Sequence, residues 1–248
     1  MSEFNSKLPA ENLGFSAGNL LIDFHSHILP HVDHGSRRTQ TGLDQLALIY
    51  SSGVGTVCST SHFYPQDILV KDFLNMRNDS FKRLLEKNGD SPRPQIILGA
   101  EVLICEGLAN MEGLEGLCFE GTDVMLLEMP FTKESWSSGL YDTVLEIAER
   151  GIRPVFAHVD RYPRELVEPL FKMGFSAQIN ANSMHGLFRK KYLDKWIEEG
   201  KIVAFGSDLH GSSPESYEAF VKLLEKRGDM VTEIMKKTNE LLRDAKRF

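Results

Sequence analysis

Asp23-Phe24-His25-Ser26-His27 directly follows the apolar run Leu20-Leu21-Ile22. Residues two apart on a strand face the same side, so His25 and His27 can offer both imidazoles to one ion. A strand ending in His-x-His at the mouth of an α/β fold suits a hydrolytic metal site, and it predicts further ligands after later strands. His62, Glu101, Glu128, His158, Asp208 and His210 each lie at or just after an apolar run with strand character. Glu101 follows Ile96-Ile97-Leu98-Gly99-Ala100, where a surface position is the plainer alternative. Glu128 ends Val124-Met125-Leu126-Leu127, and a carboxylate in such apolar sequence is costly unless paired or bound to a cation. Asp208 and His210 form Asp-x-His after the run 202–206, with a helix cap as the other role open to Asp208. His34 sits in Val32-Asp33-His34-Gly35, close behind the first motif. Mixed imidazole and carboxylate donors suit Zn, Mn or Fe, and donor type does not choose among them. His31 and His185 carry no comparable signal and read as loop positions. Asn180 and Asn182 end another strand, where substrate contact competes with loop and cap roles.

The elements that must position these residues follow from the apolar pattern. Short runs at 20–24, 56–59, 95–99, 123–127, 153–157, 175–179 and 202–205 read as strands. Amphipathic stretches at 41–52, 68–87, 137–150, 163–173, 190–199, 214–226 and 231–246 read as helices, the third stopping at Gly151. Helical crossovers return the chain to start parallel strands. Seven βα units predict an α/β barrel one unit short of eight, whose active site lies at the C-terminal strand ends. Six of the eight histidines, namely His25, His27, His34, His62, His158 and His210, fall on that face.

Composition bounds the function. The chain has 248 residues, 42% hydrophobic and 25% charged, in keeping with one α/β domain at 20–248 behind a polar leader at 1–19. A net charge of −7 leaves no surplus of Lys and Arg for non-specific nucleic-acid binding. Cys58, Cys105 and Cys118 form no CxxC pair, and none has an arginine six positions later as a cysteine-dependent phosphatase loop requires. Reduced, mostly buried thiols in a cytoplasmic protein are the expectation. The leader lacks a signal core, and no segment carries the run of about eighteen apolar residues that spans a membrane.

The stretch Leu21-Ile22-Asp23-Phe24-His25-Ser26-His27-Ile28-Leu29-Pro30 resembles the opening of the polymerase-and-histidinol-phosphatase (PHP) superfamily. Ser59-Thr60-Ser61-His62, Gly99-Ala100-Glu101, Leu126-Leu127-Glu128, 157–162 and Gly206-Ser207-Asp208-Leu209-His210 continue the likeness in order and spacing. More narrowly, the chain resembles bacterial tyrosine-protein phosphatases of capsular and extracellular polysaccharide synthesis. The resemblance implies a distorted (β/α)7 TIM-like barrel, the PHP fold, with a trinuclear site of Mn, Fe or Zn. By the same resemblance, His25, His27, Glu101 and Asp208 hold one ion, and Glu101 bridges to a second bound by Glu128 and His158. His62 and His210 hold the third with His34, or with Asp33 as substitute, because the subfamily's usual Asp-Asp-Gly reads Asp33-His34-Gly35 here. The resemblance further implies that ions held there would lower the pKa of water and supply the hydroxide expected to attack phosphorus in line. Arg161 matches a family arginine that clamps a phosphoryl oxygen, with an ion pair to Asp160 or another acidic neighbour as its alternative. A second phosphate-binding arginine of some relatives is missing from Gly211-Ser212-Ser213-Pro214, leaving Arg164 or Lys133 as stand-ins.

The implied activity is metal-dependent hydrolysis of phosphotyrosine. The implied partner is a phosphotyrosine-bearing bacterial tyrosine kinase or another tyrosine-phosphorylated protein. A phosphatase for a small metabolite such as histidinol phosphate is the enzymatic alternative, and a metal-dependent nuclease fits the acidic balance less well. A degenerate metal-binding regulatory module is the non-enzymatic alternative, and the nearly complete ligand set argues against it.

Overall fold

A computed structural model describes residues 21–185, 190–226 and 228–243. The leader at 1–19, the first strand residue Leu20, the end of the last helix beyond 243 and the Lys133 side chain lie outside the described residues.

The strands are β1 (Ile22–Ser26), β2 (Thr56–Ser59), β3 (His62–Phe63), β4 (Gln95–Leu98), β5 (Glu101–Leu103), β6 (Val124–Glu128), β7 (Arg153–Phe156), β8 (Ser176–Asn180) and β9 (Ile202–Gly206). They form a three-stranded sheet in the order β1-β2-β4 and a six-stranded sheet in the order β3-β5-β6-β7-β8-β9, with every pairing parallel. β2 and β3 are halves of one strand position, as are β4 and β5. Hydrogen bonds from Gly99 N to Ser59 O (2.9 Å) and Glu101 N to Ser61 O (3.1 Å) carry the pairing across the bend. The nine strands therefore fill the seven positions expected. A parallel bridge between Ser26 and Leu209 joins the last position to the first, so the ring is distorted rather than one continuous sheet. Asp208 N to His25 O (2.8 Å) and His27 N to Leu209 O (3.1 Å) reinforce that junction.

The helices are α1 (Thr39–Ser51), α2 (Val70–Asn88), α3 (Ser138–Glu149), α4 (Arg164–Lys172), α5 (Tyr192–Glu198), α6 (Pro214–Lys226) and α7 (Gly228–Arg243). One crossover, where no amphipathic run is expected, contains no α-helix. Between β5 and β6 the chain makes two short 3-10 turns, Leu108–Asn110 and Leu114–Leu117, and no α-helix. Each starts from a glycine in the left-handed region, Gly107 at φ 83° and Gly113 at φ 75°, which interrupts helical winding. Leu108, Leu114 and Leu117 still seal the core there. The strands β1 and β6 are buried along their whole length, as expected when helices cover the outer face of the ring and side chains fill its interior. Asp23, His25 and Glu128 are therefore polar groups inside apolar walls, and each needs a partner.

Candidate metal centre

β1 delivers His25 at its end and His27 just beyond, both fully buried. Each imidazole is aimed by a hydrogen bond through its other nitrogen. His25 Nδ1 lies 3.3 Å from Gln178 Oε1, and His27 Nδ1 lies 2.7 Å from Asp33 Oδ2. Such outer partners set the tautomer and leave both Nε2 atoms facing the centre. Asp33 also accepts the backbone N–H groups of Gly35 and His62, at 2.9 and 3.0 Å, so it is fully engaged as an orienting carboxylate. Gly35 packs so closely on His27 that a Cβ there would lie 2.1 Å from the His27 Cβ.

Glu101 is the hub. The register of β3 on β5 sets His62 beside Glu101, and that of β5 on β6 sets Leu103 beside Glu128. Glu101 Oε2 lies 3.1 Å from His25 Nε2, 3.2 Å from His27 Nε2 and 3.0 Å from His62 Nδ1. Its Oε1 lies 2.7 Å from His158 Nε2, which in turn is 3.5 Å from Glu128 Oε1. Asp208 Oδ1 stands 3.7 Å from His25 Nε2 and 3.4 Å from His27 Nε2. His158 and Asp208 both adopt the left-handed backbone region, φ 30° and 55°, uncommon for residues with a Cβ and frequent at functional sites.

A second cluster adjoins the first. The rings of His27 and His210 have centroids 4.1 Å apart, those of His34 and His210 4.6 Å, and those of His34 and His62 5.0 Å. His34, not Asp33, thus joins the imidazole cluster, from an exposed position. Partial desolvation and the neighbouring His210 and His62 lower its pKa.

Charge explains how acids and bases share this space. Burial favours the neutral Glu101 carboxyl, but His25, His158 and His27 outweigh it and hold the group well below the usual carboxylate range. Burial likewise opposes charge on His158, while hydrogen bonds donated to Glu101 and Glu128 raise it to about 9.

The donor set fits metal ions. Donors about 2.1 Å from one ion stand roughly 3.0–3.4 Å from each other, close to the spacings around Glu101 Oε2. Buried atoms without a hydrogen-bond partner include Glu101 Oε2, His62 Nδ1 and His210 Nε2, as expected of donors arranged to meet a cation. Among the described residues, three groups have donor atoms within 4.8 Å of one another: His25-His27-Asp208, His62-Glu101-Glu128 and His27-His62-His210.

All nine candidate ligands thus come together, and Arg161 reaches the same place. Its guanidinium pairs with Asp208 Oδ2 at 2.5 Å rather than with Asp160, which accepts the Asn180 N–H at 2.8 Å. The cleft above the centre measures about 840 Å³ and includes His34, His62, Glu128, Arg161, Asp208 and His210 in its lining. Arg164 is turned to Glu168 on its own helix at 2.6 Å. His185 Nε2 lies 2.7 Å from Ala219 O, a structural contact. His31 adopts φ 62° in a turn closed by its N–H to Ser36 O, and Asn182 is exposed.

The supporting roles of Gln178 and Asp23 had no counterpart among the sequence expectations, and Asn180, expected there as a substrate contact, loop or cap residue, supports the centre instead. Gln178 Oε1 faces His25 and accepts the His158 N–H at 2.7 Å, while its amide donates to Asn180 Oδ1 at 2.8 Å. Asn180 then donates to Asp208 Oδ2 at 3.0 Å, which makes it a positioning residue. Asp23 accepts from Ser207 N (2.8 Å), Ser207 Oγ (2.6 Å) and Tyr217 OH (3.0 Å), tying the Asp-x-His loop to β1. Its complete burial raises its carboxyl to about 6 despite those donors. The available signal was Gln178 and Asn180 two apart in a buried strand, hence on one face.

The chain matches the family described as capsular polysaccharide synthesis, CpsB/CapC, over residues 21–242. It is 28% identical over 212 residues to the tyrosine-protein phosphatase CpsB of Streptococcus agalactiae serotype V, covering 77% of this chain and 83% of that one. It is 25% identical over 241 residues to the tyrosine-protein phosphatase YwqE of Bacillus subtilis, covering 90% and 91%. Among solved structures, one from work on YwqE of Bacillus subtilis and CpsB of Streptococcus pneumoniae, described as unique metal-dependent tyrosine phosphatases, superposes with a TM-score of 0.72. That match has 22% identity and covers 92% of this chain and 96% of the other. A TatD-family hydrolase from Entamoeba histolytica shares the fold more loosely, with a TM-score of 0.54 and 9% identity over 91% and 99% of the two chains.

Proposed function

The chain belongs to the CpsB/CapC family of capsular polysaccharide synthesis, and on that premise we propose that it is a metal-dependent phosphotyrosine-protein phosphatase. The observation that carries this reading is the convergence of three imidazole nitrogens on Glu101 Oε2 at 3.0–3.2 Å, with no hydrogen bond made by that buried oxygen.

His25, His27, Glu101 and Asp208 would hold one ion. Glu101, Glu128 and His158 would hold a second, and His62, His210 and His34 a third. When bound, Mn, Fe or Zn ions supply water acidified to near-neutral pKa and positive charge for phosphoryl oxygens. The chain's own residues do the rest. Gln178 and Asp33 fix the imidazole orientations, so little reorganisation is needed when charge develops. Arg161, at the cleft wall, exchanges its contact with Asp208 for a phosphoryl oxygen of the substrate. The leaving phenolate has a parent pKa of about 10, so strong general-acid assistance is unnecessary.

A tyrosine-phosphorylated kinase that acts in polysaccharide assembly is the partner this reading favours. A cytoplasmic setting accords with the free thiols Cys58, Cys105 and Cys118. Among the described residues no helix is long and apolar enough to cross a membrane. Initial rates on a phosphotyrosine peptide and on histidinol phosphate, each with Mn, with Zn and with chelator, test the proposal. Metal-dependent preference for the peptide is expected. Preference for histidinol phosphate would keep the metal chemistry and move the protein to small-molecule metabolism.

A further inference from the structure

Phe131 is a large apolar side chain left 57% exposed, and it stands in the wall of the cleft over the metal centre. Its ring lies nearly parallel to that of His158, with an interplanar angle of 18° and centroids 5.7 Å apart. The wall that carries it is built rather than loose. Trp136 Nε1 donates to Pro130 O at 2.6 Å, and the Tyr162 ring packs on both Phe131 (5.8 Å) and Trp136 (5.4 Å). Tyr162 is itself buried, and its hydroxyl accepts the Met129 N–H at 3.1 Å. Leu103, Ile104 and Pro130 continue an apolar lining beside the charged floor.

We propose that Phe131 is the platform on which the phenyl ring of the phosphotyrosine side chain stacks, making it the residue that selects an aryl over an alkyl phosphomonoester. The proposal rests on the phosphatase reading above. An aryl phosphate carries its ring one ester oxygen from phosphorus, so a phosphoryl group at the centre brings that ring to the adjoining wall. Aromatic pairs gain from offset stacking as well as from burial, and Phe131 has exposed area to bury. A phosphoserine side chain offers no ring and leaves that surface wet. If Phe131 instead merely shields the centre from water, its loss harms aryl and alkyl ligands alike.

The test compares the metal-loaded full chain with Phe131→Ala and Phe131→Tyr. Calorimetry reads binding of one peptide carrying phosphonomethyl-phenylalanine and of the same peptide carrying an alkyl phosphonate, neither of which is hydrolysed. Elemental analysis checks metal content, and kcat and KM are measured on the phosphotyrosine peptide. Phe131→Ala is expected to weaken aryl binding about tenfold, to leave alkyl binding and metal content unchanged, and to act on KM more than on kcat. Phe131→Tyr restores aryl binding. Equal losses for both ligands, or no loss, overturn the platform while wild-type turnover leaves the phosphatase reading intact. A wild-type chain that neither binds the aryl phosphonate nor hydrolyses the phosphotyrosine peptide overturns both.

Discussion

At the residue scale, Glu101 concentrates the chemistry because four imidazoles lie within 3.2 Å of its carboxylate. Glu101→Gln keeps the shape and removes the charge. It should lower metal affinity by more than the about 10–100-fold typical of outer-sphere changes, read by metal titration. Gln178→Ala should fall within that range, because it frees His25 to rotate without deleting a ligand. Metal-free protein should also show a pH signature from His158. A histidine raised to about 9 in the fold stabilises it fully below its ordinary value of 6.5 and loses that contribution as pH rises through about 9. Thermal midpoints in chelator should therefore fall from pH 6 to pH 9.5, and fall less in His158→Gln. Equal slopes in the two proteins would sink the assignment. Eight of the nine candidate ligands were legible because each lies at or just after a strand-like run, whereas His34 entered as a ligand only through the family resemblance. Gln178 was not, because its partners His25 and His158 lie far from it in sequence and only the sheet brings the three together.

At the element scale, the ligands depend on how strand ends are joined. Asp23 on β1 accepts from both Ser207 and Tyr217 on α6, so Tyr217→Phe should destabilise the fold by about 1–3 kcal/mol by leaving a buried carboxylate short of a donor. Gly35→Ala forces a methyl against His27 and should destabilise by about 1–3 kcal/mol, with loss of metal binding alongside. Denaturant unfolding checks both, and an unchanged midpoint for either would contradict the packing described. The strand positions were readable from apolar runs. The splitting of two of them was not, because β3 and β5 are only two and three residues long and have no period of their own. The helix-free crossover before β6 was foreshadowed only by the absence of an amphipathic run. The leader at 1–19 lies outside the described residues.

At the scale of the whole molecule, seven parallel strand positions place the candidate ligands at their C-terminal ends, where His34, His62, Glu128, Asp208 and His210 line one cleft. Loading with metal should raise the thermal midpoint, since a ligand bound only by the folded state adds about 2.7 kcal/mol at a hundredfold excess over its dissociation constant. The most direct test of the central claim is the initial rate on a phosphotyrosine peptide before chelation, after chelation and after metal is restored, in wild type and Glu101→Gln. Activity that vanishes with the metal, returns with it in wild type and does not return in Glu101→Gln is the predicted result. Turnover that survives chelation, or that Glu101→Gln retains, would contradict a metal centre built around Glu101.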